Sequence, residues 1–534
     1  MKELKKEQTR YSITYPAGVM LIYFLLFSFF LSCSDDPAVK EELSSVAEFE
    51  SFTFQSISNK DIIVTSPGRI SDTNINISIP NGVSPESLVA TFTYSGASVK
   101  IGDVEQVSGI TGNNFSKVVV YTITAEDGTK VNYTVVAKEL PHIPKVYVNT
   151  WDAPILDKDT YVKSEVRIED VQYATDTDLP AGIRGRGNST WGMPKKPYRI
   201  KLDNKTSLLG LSNDKDWALL ANYFDKTLVR NITAFEIAKI AEMDWTPASI
   251  SVDFYMNGTY QGVYSLTEHV KVSKERLDME LVTPSDNSGE ALTGDYLLEL
   301  DFHFDEPYKF KTDLKQLPIM FKDPDEPTDA QFNFVTDYFN RAESALYSTN
   351  FKDPVNGYRK YIDVESLINY YIVQELAKNV DGNMRGSCYM ALRRNGKIEM
   401  PLVWDFDLAF GNADYIIDEG ADSPGPEGWF IKTCSPWFDR LFEDPYFVSE
   451  LKKRWNELKP ELDGIPDFIR EHVLAIQDSQ ARNFSPKPNG AGWDINQVDW
   501  NTQRRGLSYI SELDFFLNFV EKRLQWLDTN INRL

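Results

Sequence analysis

Gly182 to Leu202, GIRGRGNSTWGMPKKPYRIKL, gathers four glycines and six cationic residues around an Asn188-Ser189-Thr190 cluster, ahead of an alternating segment from Tyr198 to Leu202. Glycine admits positive φ and lets backbone N–H groups approach a bound group closely. Successive N–H groups in such a turn form a concave anion site, to which flanking Arg and Lys add charge. Two readings fit: a phosphate-cradling loop feeding a strand, or a basic surface turn before an edge strand. Residues elsewhere in the chain separate them.

At 534 residues the chain is long for one domain, and its 42% hydrophobic and 13% aromatic content is ample for folded cores. A formal charge of −23 argues against general nucleic-acid binding. Three cysteines make no disulfide framework, and the four histidines (His142, His269, His303, His472) stand at no metal-ligand spacing, which excludes a zinc hydrolase.

The first 32 residues read as a targeting segment. Lys2, Lys5, Lys6 and Arg10 precede an apolar run from Ala17 to Ser32 that is short for a membrane span. Leu31-Ser32-Cys33 looks like a bacterial lipobox, in which Cys33 is lipidated and becomes the first residue; an uncleaved anchor helix is the other reading. The acidic pair Asp35-Asp36 resembles the export tag of Bacteroidetes surface lipoproteins. The resemblance implies a membrane partner through the lipid on Cys33, at the outer membrane or cell surface, with residues 33–47 as tether.

From residue 48 to 140, short β-rich runs alternate with turn residues: Asn74–Ile79, Leu88–Tyr94, Val118–Thr124 and Val131–Val136, the last two joined by an Asp127-Gly128 turn. This spacing predicts a small all-β sandwich, and the Tyr121–Thr124 and Asp127-Gly128 block resembles immunoglobulin-like modules. Pro141 and Pro144 mark a boundary. Beyond it, strands mix with helices. Lys226–Ala241 has helical period, Ser251–Leu266 is a hairpin about Asn257-Gly258, and Asp363 caps a helix running to Asn379. Trp437–Leu534 is largely helical. A β-rich first half and helical second half predict an α+β domain of two lobes over residues 144–534.

Two acidic clusters stand against the helical part. One is Asn379-Val380-Asp381-Gly382-Asn383; the other is Asp405 and Asp407 inside the apolar run MPLVWDFDLAFGN, Met400–Asn412. Aspartate is seldom buried unless paired or metal-bound. In an extended segment Asp405 and Asp407 share one face, suiting a hard cation such as Mg²⁺; the other reading has them capping a turn or bridging to arginines. Phosphoryl transfer needs a phosphate loop, a cation near the phosphates, a Mg²⁺ carboxylate and a carboxylate beside the attacking hydroxyl. The chain offers Gly185–Asn188 as the loop, Lys196 or Lys201 as the cation, Asp381 as the hydroxyl-side carboxylate, and Asp405 with Asp407 for the metal. A hairpin of Ser387–Arg393 and Ile398–Trp404 would fold the two acidic sites together. Glu236 is either a partner for the strand lysine or part of a solvated helix face.

RGRGNSTW, PKKPYRIKL, LLANYFDKTLVRN, MNGTYQGVYSLTEHV, NVDGN and WDFDLAFGN, in this order, resemble the CotH (spore coat protein H) family over roughly Lys145 to Leu534. The resemblance implies an atypical protein-kinase-like fold that binds ATP with Mg²⁺ and phosphorylates Ser or Thr of an unidentified extracytoplasmic protein. It implies Asp381 as the catalytic aspartate and Asp405 and Asp407 as metal ligands. Phosphate would meet Arg184, Gly185, Arg186, Gly187, Asn188 and Ser189 with Lys196 or Lys201, and the Glu268-His269-Val270 stretch would border the adenine through Glu268 and Val270. Five residues after Asp381, where many members carry asparagine, stands Gly386. The rival function is a non-catalytic surface module that uses the same pocket for another ligand, such as a glycan.

Overall fold

The computed structural model describes residues 42–418, 420–496 and 508–534. The leader, Cys33 and most of the tether lie outside these residues. Among the described residues no helix is long and apolar enough to cross a membrane.

The chain is α+β, with an all-β region first. Strands between Glu48 and Glu139 form one eight-stranded sheet and a two-stranded ribbon, Leu88–Val89 with Gly112–Asn113. The expected Leu88–Tyr94 strand is thus divided between two sheets. Asn74–Ile79 pairs in parallel with Lys130–Glu139, which is antiparallel to Val119–Thr124. Period-two alternation buries one face of these strands, where Phe49 meets Tyr121 and Tyr133 edge-on and Phe52 stacks on Phe92. Arg69 binds Glu471, and Gln477 bonds the backbone at Asp61 and Ile63, tying this region to the C-terminal helices.

Lys145–Asn149 opens a closed seven-stranded barrel. Its interior is a second apolar core in which Val146, Ile183, Ile200, Trp217, Phe254 and Leu266 point inward. Alternation therefore turns Arg184, Arg199 and Lys201 outward. The hairpin Ser249–Met256/Thr259–Glu268 turns at Asn257-Gly258, both at positive φ, as a tight hairpin turn requires. A five-stranded sheet follows, with Tyr296–Leu300 central between Pro318–Asp323 and Cys388–Leu392.

The helix expected from Lys226 begins at Arg230, because Asp225 first accepts the Thr227 and Arg230 N–H groups in a turn with Leu228 at φ 66°. Asp363 caps Val364–Ala377 by accepting from Ser366 N at 3.0 Å. This helix is buried from Leu367 onward, and the last turn buries a charge: Glu375 pairs with Arg523 of the Tyr509–Arg533 helix at 2.5 Å, with both side chains excluded from solvent. Glu375 also accepts the Phe430 and Lys432 N–H groups, while Arg523 donates to the Pro426 and Gly428 carbonyls. The hairpin predicted between the two acidic sites is shorter than expected. Within it only Ala391 and Leu392 pair with Glu399 and Ile398, and residues 400–404 leave the sheet.

Breaking a buried ion pair strands the remaining charge. R523M is expected to lower stability by about 3–5 kcal/mol, read from the guanidinium midpoint of the helical signal; a loss below about 1 kcal/mol would contradict the pair's structural role.

Candidate functional site

The outer wall of the barrel, the five-stranded sheet and the loops after the Val364–Ala377 helix enclose a cavity of about 1080 Å³. Arg184, Gly185, Arg186, Gly187, Asn188, Ser189, Val270, Asp381, Asp405 and Asp407 all line it. Local chemistry explains how each arrives there.

The glycine loop turns because two positions tolerate no side chain. A Cβ at Gly185 would lie 2.6 Å from the Trp191 ring, and one at Gly187, where φ is +79°, would lie 2.1 Å from Thr190 Oγ1. Arg186 N–H donates to the Pro197 carbonyl and Lys158 donates to Asn188 Oδ1, so the loop is closed at its base. Arg184 lies over the Tyr161 ring and Arg186 over Trp404.

Three predicted residues are placed elsewhere. Lys196 folds back, donating to the Trp191 carbonyl with its ammonium over that ring. Lys201 is exposed on the barrel strand, away from the cavity lining. Glu268 is buried and structural, accepting from the Ser212 and Ala248 N–H groups. The cations that do line the cavity near this wall are Arg199 and Lys271. Asp216 accepts from both, at 3.0 and 2.8 Å, and despite burial their contacts lower its carboxyl to about 2. A strand aspartate thus holds the cavity cations. Glu236 instead pairs with Lys239 on its own helix.

The acidic side is set by backbone bonds. Phe406 N–H donates to Asn231 Oδ1, Phe410 N–H to the Ala377 carbonyl, and Asn379 Nδ2 to the Asp405 carbonyl. Asp405 takes φ +66°, so the segment is kinked rather than extended, yet both carboxylates reach the cavity. Gly382 packs on Gln374, where a Cβ would lie 2.1 Å from Oε1, and this sets Asp381 beside them. Burial first, then the Asp405 charge, pushes the Asp381 carboxyl up to about 6. Burial raises Asp405 and Asp407 as well; Arg186 opposes the rise at both. At Asp407 the neighbouring charges of Asp405, Asp225 and Asp381 add to the effect of burial.

His269 stays neutral: burial and the charges of Arg199 and Arg186 lower it to about 3. Its Nδ1 lies 2.8 Å from the Val270 carbonyl, which can only accept, so Nε2 remains an acceptor. Sequence reasoning missed Arg199, Lys271, Asp216, Asp301 and His303. The Arg199 alternation was the one available signal.

The donors fit a metal–triphosphate. Buried Arg184 Nε and Arg199 Nε have no acceptor among the described residues, a state shared by nitrogens of Arg230 and Arg359 elsewhere in the fold. No described residue donates a hydrogen bond to the Asp405 or Asp407 carboxylates. Among the described residues no group of three or more His, Cys, Asp or Glu is arranged as a metal site. A hard cation held by these two carboxylates alone would have to complete its shell from phosphate and water.

The scaffold that carries this cavity is a mixed α+β domain. The family described as CotH kinase protein matches residues 183–527, and the chain belongs to that family. The description "SGBP, N-terminal" matches residues 52–137. A search of curated proteins returns no match. A solved structure described as a putative glycoside hydrolase from Bacteroides thetaiotaomicron is 13% identical and covers 54% of this chain and 81% of its own, with a TM-score of 0.15, and carries no argument about fold or function.

Raised carboxyl pKa values mean that the fold holds more protons than the unfolded chain above pH 3.8. Their stabilising contribution is present at lower pH and is lost as pH rises through about 6, where Asp381 ionises. Mg²⁺ is expected to raise the melting temperature more at pH 7.5 than at pH 5, because burial favours the protonated Asp405 and Asp407 carboxyls and protons compete with the cation for the same oxygens. Equal shifts at both pH values would contradict this assignment.

Proposed function

We propose that this CotH domain is a kinase-like two-lobed domain that binds ATP with Mg²⁺ and transfers the γ-phosphoryl group to a Ser or Thr hydroxyl of an extracytoplasmic protein. One observation carries the reading: the glycine-loop arginines and the three aspartates line one cavity.

In this reading Arg184 and Arg186, with the loop backbone, face the phosphates. Arg199 and Lys271, held by Asp216, set the charge of the same wall. Asp405 and Asp407 hold Mg²⁺, which supplies neutralisation of charge on the transferring group. Asp381 accepts a hydrogen bond from the attacking hydroxyl and is ionised above about pH 6. Val270 and neutral His269 border the base.

The N-terminal match supports a second reading, a surface protein whose cavity binds a ligand without turnover. It also supports an extracellular or surface location, with lipid on Cys33 as the proposed anchor.

Incubating the protein lacking residues 1–36 with γ-labelled ATP, Mg²⁺ and candidate acceptors is expected to give label transfer. D381A and D407A should each lose at least about 10²-fold. A Mg²⁺-dependent thermal shift with ATP but no transfer would favour the non-catalytic reading, and the absence of both would end the nucleotide reading.

A further inference from the structure

Beside Asp381 lie Asp301, His303 and Gly386, three residues to which the phosphotransfer reading gives no role. Asp301 follows the central strand Tyr296–Leu300. Its Oδ1 accepts the His303 N–H at 2.8 Å and lies 2.7 Å from His303 Nδ1, and its Oδ2 accepts the Ser387 N–H at 3.0 Å. A carboxylate oxygen at Nδ1 places the proton there and leaves Nε2 as the lone-pair nitrogen of the neutral ring. Phe302 packs against this ring at 4.2 Å between centroids.

Gly386 permits the arrangement. A Cβ at that position would lie 3.2 Å from the Phe302 ring and 3.3 Å from Asp301 Oδ2, and Phe302 N–H donates to the Arg385 carbonyl at 3.0 Å. The absence of a side chain at 386 thus lets the loop of Asp301 and His303 close onto the loop of Asp381. All three acidic or basic groups line the same cavity, and the His303 side chain is 37% exposed. The charged groups that line the cavity with His303 on this side are Asp301, Asp305 and Glu306 on its own loop, Lys322 on the neighbouring strand, and Asp381 and Arg385 from the facing loop.

We propose that His303 is the proton acceptor for the transfer, with Asp301 as the residue that positions it and Asp381 orienting the hydroxyl. The inference rests on the phosphotransfer reading. A lone pair of the acceptor hydroxyl forms the O–P bond to the γ-phosphorus. The bond from that phosphorus to the β,γ-bridging oxygen breaks, its electron pair leaving on the nucleoside diphosphate. The hydroxyl proton passes to His303 Nε2, and the imidazolium, paired with Asp301, returns it to solvent.

The test is transfer of label from γ-labelled ATP between pH 5 and 9 by the full chain and its H303Q and D301N variants, with Mg·ATP binding followed by thermal shift. H303Q is expected to lose about 10²-fold or more in kcat/KM while keeping its Mg·ATP shift. The acid side of the kcat/KM profile should differ between wild type and H303Q. D301N should lose less and move the acid limb. Added imidazole should partly restore H303A, which separates proton transfer from a folding defect. Transfer by H303Q within threefold of wild type, with an unchanged acid limb, would overturn the proton-acceptor role and leave the phosphotransfer reading standing. No rescue of H303A by imidazole would count equally against it. D301N matching wild type in rate and profile would overturn the positioning role, and no transfer by wild type at any pH would overturn both readings together.

Discussion

The buried pair of Glu375 and Arg523 is the constraint on which the acidic half of the site depends. Two charges excluded from water hold only if their remaining hydrogen-bonding capacity is met, and here backbone groups at Pro426, Gly428, Phe430 and Lys432 meet it. The pair locks the last turn of the Val364–Ala377 helix to the C-terminal helix. Lys378, the next residue, adopts a left-handed cap and donates to the Ser423 and Gly425 carbonyls. Asp381 follows three residues later, so its position inherits the rigidity of this cage.

A second constraint is electrostatic. Asp381, Asp405 and Asp407 crowd one end of a cavity whose opposite wall carries Arg184, Arg186 and Arg199. The two sets do not form close ion pairs with each other; Arg199 pairs through one terminal nitrogen with Asp216 while its Nε has no acceptor among the described residues. Carboxyl groups are driven toward their protonated forms by burial and mutual repulsion, while arginine donors stay without acceptors. Such a site is poised for a ligand that brings both a cation and anionic oxygens. Asp225 and Arg230, also buried and close to the acidic end, form a fully buried ion pair that serves the fold, with Arg230 Nε and Nη2 left without an acceptor among the described residues.

Much of the scaffold was legible in the chain. The Asn257-Gly258 hairpin, the Asp363 cap and the period-two strands follow from local chemistry, and the structure forms them close to their predicted bounds. The glycine loop and the three aspartates were legible as residue types at suggestive spacing, and they meet in one cavity. The phosphate-side cation was not. Alternation put Arg199 and Lys201 on one face, but only tertiary placement shows that the cavity reaches Arg199 and misses Lys201. Lys196 was lost to a local contact with Trp191. Asp301 and His303 carried no motif, since a carboxylate two residues from a histidine is common. Gly386 read as a missing side chain, whereas the structure shows the space filled from another strand.

The central claim is that this cavity binds a metal–triphosphate between the glycine loop and the aspartates. A crystal grown with Mn²⁺ and a non-hydrolysable ATP analogue tests it most directly. The account predicts an anomalous manganese peak between Asp405 and Asp407, with phosphate density against Arg184, Arg186 and the Gly185–Ser189 backbone. Density for the analogue outside this cavity, or manganese bound without either aspartate, would contradict it.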